Sequence, residues 1–146
     1  MQCTIYDAEE LKKKHRIKKE RVVVVARFEK RLVLAQNAEK WALPETTPVR
    51  GESMEETAQR ALGAAMGEAV FSVKLLCGFT VTKPDGGEEG GYAFLADVQE
   101  WPDGADEGVQ AFDHPPEALE EAALVYGLKR WSWPFFLKGE ILPADF

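Results

Sequence analysis

The chain has 146 residues, 45% hydrophobic and 29% charged, which is the size and usage of one globular domain and excludes disordered, collagen-like and coiled-coil chains. Eighteen Lys and Arg stand against 25 Asp and Glu, a formal net charge of −7, so long-range repulsion argues against nucleic acid as a partner. No apolar run approaches the roughly 18 residues of a membrane span, and Met1–Tyr6 lacks the basic start and apolar stretch of a secretory signal. The expectation is one cytoplasmic domain over 1–146, with no membrane partner.

Residues 1–20 read as a lead-in that becomes strongly basic. Lys12 to Arg21 carries seven Lys or Arg in ten positions, and Glu9/Lys13 and Glu10/Lys14 sit at helical i,i+4 spacing. A solvated segment is favoured there over an anion-binding patch. Val22–Phe28 is a β-branched run that predicts a strand covered on both faces. Glu29-Lys30 then offers a short turn into Arg31–Gln36, so the pair reads as a hairpin. A polar break follows at 37–40, and Pro44, Pro48 and Gly51 mark an irregular loop.

Ser53 opens a helix expected at about 53–66. Ser53-Met54-Glu55-Glu56 fits a capping box, Met54, Ala58, Ala61, Leu62 and Ala65 fall on one stripe, and Gly67 is a natural stop. Beyond it, 70–83 predicts one long or bent strand, 84–90 a flexible acidic turn, 91–98 a second strand and 109–112 a short one. Pro115 and Pro116 suit a helix start, with a helix predicted over 116–126 and ended or kinked by Pro134. The order of elements predicts an α+β fold, an α/β/α sandwich. Cys3 and Cys77 are too few for a disulfide framework, and with His15 and His114 they offer no zinc spacing. Cys77 reads as a small buried filler.

Leu32 to Gly67 resembles the Nudix family, whose box runs G-x5-E-x7-R-E-U-x-E-E-x-G-U behind a Trp-x-Leu-Pro-Gly-Gly segment. Trp41-Ala42-Leu43-Pro44 matches the approach to the box. Glu52 falls on the first acid, and Arg60, Leu62 and Gly67 fall on the Arg, the first aliphatic and the late Gly, with no insertion. The resemblance implies a Nudix-like mixed sheet with a box helix and a C-terminal helix. It also implies hydrolysis of nucleoside diphosphate derivatives by divalent cations held on helix carboxylates.

Those carboxylates are replaced. Ala61, Ala64 and Ala65 stand where the family has Glu, Glu45 and Thr46 replace the paired glycines, and Glu68 replaces the last aliphatic. Mg²⁺ takes hard oxygen ligands, and a methyl group supplies none. The reading is a Nudix-fold protein without the usual metal site: a non-catalytic module that binds a small nucleotide-like ligand, or a regulatory one. No metal cofactor is expected. The resemblance then places ligand binding at Trp41, Glu52 and Arg60. Two alternatives stand beside it. One is an active Mg- or Mn-dependent pyrophosphohydrolase using relocated carboxylates, with Glu52, Glu55 and Glu56 as catalytic candidates and a loop acid such as Glu88, Glu89, Asp113, Glu117, Glu120 or Glu121 completing the site. The other is a structural protein that forms a homodimer through the alanine-rich helix face or the aromatic cluster at Trp131, Trp133, Phe135 and Phe136. His114 reads as a turn residue.

Overall fold

The computed structural model describes residues 2–6, 21–67, 71–102, 108–114 and 116–138. Its elements are β1 (Gln2–Tyr6), β2 (Arg21–Phe28), β3 (Arg31–Asn37), β4 (Lys40–Ala42), β5 (Glu45–Thr46), α1 (Met54–Met66), β6 (Phe71–Thr82), β7 (Glu88–Val98), β8 (Val109–Phe112) and α2 (Ala122–Lys138). The strands form one mixed sheet in the order β1-β6-β7-β2-β3-β4, with β5 on β2 and β8 on β3. β2 and β7 run parallel, and the other pairings are antiparallel.

Strand alternation divides the core in two. Val22, Val24 and Ala26 turn to one face and pack under Ala58, Ala61, Leu62 and Met66 of α1. Val23 and Val25 turn to the other, with Phe79, Leu95 and Leu124, Val125 and Leu128 of α2. The sandwich expected from element order is therefore present, with β2 buried on both faces as its β-branched run requires. The Glu29-Lys30 turn has φ values of 50° and 65°, the left-handed pair of a tight hairpin. Ser53 and Glu56 form the predicted capping box, and the Gly67 N–H closes α1 onto the Gly63 carbonyl. β6 is bent by a register shift between Leu75 and Cys77.

Five expectations change. Residues 2–6, read as part of a lead-in, form β1 along β6; the local sequence carries no signal for a partner some 75 residues away. The loop after Trp41 contains β5, and β7 begins at Glu88, three residues earlier than expected. The last helix spans Ala122–Lys138 instead of 116–126. Residues 117–120 instead dock on β4: the Trp41 N–H donates to the Ala118 carbonyl at 2.7 Å and the Glu120 N–H to the Trp41 carbonyl at 2.8 Å. Pro134 does not end α2. The helix continues through it to Lys138. Residues 7–20 of the basic stretch, and the side chains of Trp133, Phe135 and Phe136, lie outside the described residues. No described helix is long and apolar enough to cross a membrane.

Candidate functional site

β2 and β3 are in register only near their shared turn, at Arg27↔Leu32 and Phe28↔Arg31. Toward its start, β2 is taken up by the 43–46 segment. The Val24 N–H donates to the Pro44 carbonyl at 2.8 Å, and β5 pairs Val22↔Thr46 and Val23↔Glu45. The two β5 residues then serve different charged clusters.

Thr46 belongs to the first. The Arg60 guanidinium grips both Glu52 carboxylate oxygens, at 2.9 and 3.0 Å, and also donates to Thr46 Oγ1 and the Thr47 carbonyl. Glu52 accepts further from the Thr57 hydroxyl at 2.6 Å and the Val49 N–H at 3.4 Å. The Arg60 and Thr57 hydrogen bonds hold its carboxyl down at about 2. Glu52 and Arg60 thus fasten the box loop to α1. Glu56 goes to the helix cap, accepting from the Ser53 N–H at 3.1 Å. Glu55 is exposed in the first turn, where a carboxylate suits the helix dipole.

Glu45 belongs to the second cluster. Arg21, at the start of β2, donates to both of its carboxylate oxygens at 2.9 and 2.6 Å, and to both of those of Glu121 at 2.9 and 2.5 Å. Glu89 stands 3.7 Å away and is itself paired with Lys83, whose hydrogen bond lowers the Glu89 pKa. Burial pulls the Arg21 pKa down, but the bonds to Glu45 and Glu121 outweigh it and the net shift is upward. The guanidinium also lies 5.6 Å from the Phe79 ring centroid. Opposite it, Gly91 permits the close approach of β2 and β7: a Cβ there would stand 2.4 Å from the Arg21 carbonyl oxygen. Together Arg21, Glu45, Lys83, Glu89, Glu120 and Glu121 line a cleft of about 400 Å³.

Trp41 does not join Glu52 and Arg60. It packs on the α2 side of the sheet, edge-on to Phe112 at 4.9 Å, and its backbone anchors the segment that delivers Glu120 and Glu121 to the cleft. Of the loop acids, Glu89, Glu120 and Glu121 reach the cleft, while Glu88, Asp113 and Glu117 are exposed. His114 is exposed as well. Sequence reasoning missed Arg21 as a hub, because its partners lie 24 and 100 residues away; only the acid at position 45, where glycine is expected, hints at it. Cys77 is buried, and desolvation pushes its thiol up to about 12, which fits a packing role.

The α1 positions that match the metal positions of the family offer no ligand to a cation. Ala61 of α1 is 4% exposed, packed in the core between helix and sheet; Ala65 is half-buried beside it and Ala64 is exposed; all three end in methyl groups. The nearest acid, Glu52, already has Arg60, Thr57 and Val49 on its oxygens. Among the described residues no Asp, Glu, His and Cys side chains gather in a set able to hold a metal ion. The residues present do not fit the divalent cations of the Nudix reaction.

This two-helix sandwich, with its box loop folded back on β2, is the Nudix hydrolase fold. Solved structures agree. The Bacillus subtilis pyrophosphohydrolase BsRppH superposes with a TM-score of 0.66 at 20% identity, over 90% of this chain and 92% of that one. A Nudix hydrolase from Nitrosomonas europaea gives 0.63 at 18%, over 88% and 95%, and the C. elegans Ap4A hydrolase gives 0.55 at 16%, over 78% and 96%. No family model and no curated protein matches the sequence.

Proposed function

We propose that this protein is a non-catalytic Nudix-fold module that binds a small nucleotide-like ligand in the Arg21 cleft. The observation that carries the reading is the α1 face, where three methyl side chains occupy the places from which a hydrolase would hold its cations. The fold's pocket-forming parts remain. Arg60 and Glu52 set the box loop and so the position of Thr46 and Glu45; Trp41 sets the opposite wall through 118–120. The three residues expected at the ligand act as positioning residues around the cleft. Four carboxylates against two cations line it, a balance that opposes a bare phosphate chain. Carboxylates accept hydrogen bonds from ring N–H groups, exocyclic amines and ribose hydroxyls, so the nucleoside end of the ligand is the part held.

Hydrolysis assays with Mg²⁺ or Mn²⁺ test this across nucleoside triphosphates, ADP-ribose, sugar nucleotides and dinucleoside polyphosphates. The folded protein is expected to show no turnover while binding a member of the panel in calorimetry without divalent ions. Turnover that chelator abolishes, and that Glu52→Gln or Glu56→Gln removes, would overturn the reading in favour of an enzyme with relocated carboxylates.

A further inference from the structure

We propose a second ligand site at the far end of β2: a recess of about 360 Å³ lined by Phe28, Arg31, Trp101, Val109, Gln110 and Ala111, which takes a planar aromatic ring bearing an anionic group. Its size is that of a small-molecule site. Phe28, Trp101, Val109 and Ala111 all pack against the α1-side core, so the floor is fixed, yet none of the lining residues comes from α1. The Phe28 and Trp101 rings lie 5.2 Å apart at 54°, a wedge that offers a ring an edge-to-face partner and a stacking partner together.

Among the described residues the polar side of the recess carries a single charge. Arg31 is the charged residue of the lining. The tight Glu29-Lys30 turn places it opposite Phe28 in register, with its guanidinium 5.8 Å from the Phe28 centroid. Exposed Glu29 takes one terminal nitrogen at 2.7 Å. The planar fork has further donors for a carboxylate or phosphate, and the exposed Gln110 amide stands at the rim. A guanidinium already held over an aromatic ring binds a flat anion with little further ordering. The Arg21 cleft has the opposite chemistry, so the two sites call for different ligands.

Calorimetry of the full chain with phenyl phosphate and with benzoate separates an aromatic phosphate from an aromatic carboxylate as the source of that chemistry, and benzyl alcohol serves as the neutral comparison. At least one anion is expected to bind with 1:1 stoichiometry. Arg31→Gln is expected to weaken it about tenfold without changing the neutral compound, and Trp101→Ala to weaken both. The inference falls if neither anion saturates by ~10 mM, or if Arg31→Gln, a half-exposed change compatible with folding, binds as the wild type does.

Discussion

Arg60 and Arg21 are both gripped by carboxylates, but they join different things. Arg60 reaches a glutamate eight residues back and a loop just before it, so it closes a local unit of one helix and its lead-in. Arg21 gathers side chains from β5, the β6–β7 hairpin and the approach to α2, so it closes the tertiary structure around the cleft. Arg60 is 41% exposed, whereas Arg21 is 12% exposed. The surviving box residues keep a loop in shape. A larger and less exposed charge cluster has been built elsewhere, with a guanidinium at its centre.

The contrast is easiest to break at Gly91. Gly91→Ala puts a methyl against the Arg21 backbone and is expected to cost more than about 3 kcal/mol in chemical denaturation, by forcing β2 from β7. Arg21→Met comes next. It leaves Glu45, Glu89 and Glu121 facing one another and is expected to cost about 2–4 kcal/mol; Arg21→Lys should recover only part of this, because an ammonium cannot grip two carboxylates edge-on. The smallest effect is expected at the box. Arg60→Gln should lower Tm by less than half as much as Arg21→Met, since an exposed pair is screened by solvent.

A pH series sharpens the same comparison. The Glu52 pKa is depressed from 4.5 to about 2, so its contribution is complete above about 4.5 and is lost as pH falls toward 2. The Tm curves of wild type and Glu52→Gln should therefore lie apart at pH 6 and converge on acidification. Curves that stay parallel down to pH 2 would mean that Arg60 does not select the ionised carboxylate.

What the sequence disclosed follows the same division. The Ser53–Glu56 cap, the Ala58–Ala61–Leu62 stripe and the Glu29-Lys30 turn are set by neighbours within a few residues, where periodicity and turn chemistry act. The Nudix resemblance rested on such local spacing, and the fold agrees with it. β1, the docking of 117–120 on Trp41 and the late start of α2 depend on surfaces that exist only after the sheet has formed. The Arg21 hub is of this second kind: an arginine ending a basic run and three scattered glutamates give no pattern along the chain.

β5 is two residues long, and its side chains leave in opposite directions: Glu45 to Arg21, Thr46 to Arg60. Inserting or deleting one residue between Pro44 and Thr46 would exchange the two directions and unfasten both arginines at once. The 47–51 loop carries no such parity. Length variation in relatives sharing this arrangement should therefore collect after Thr46 and stop abruptly before it, making the dipeptide a fixed point against which the rest of the box loop is free to change.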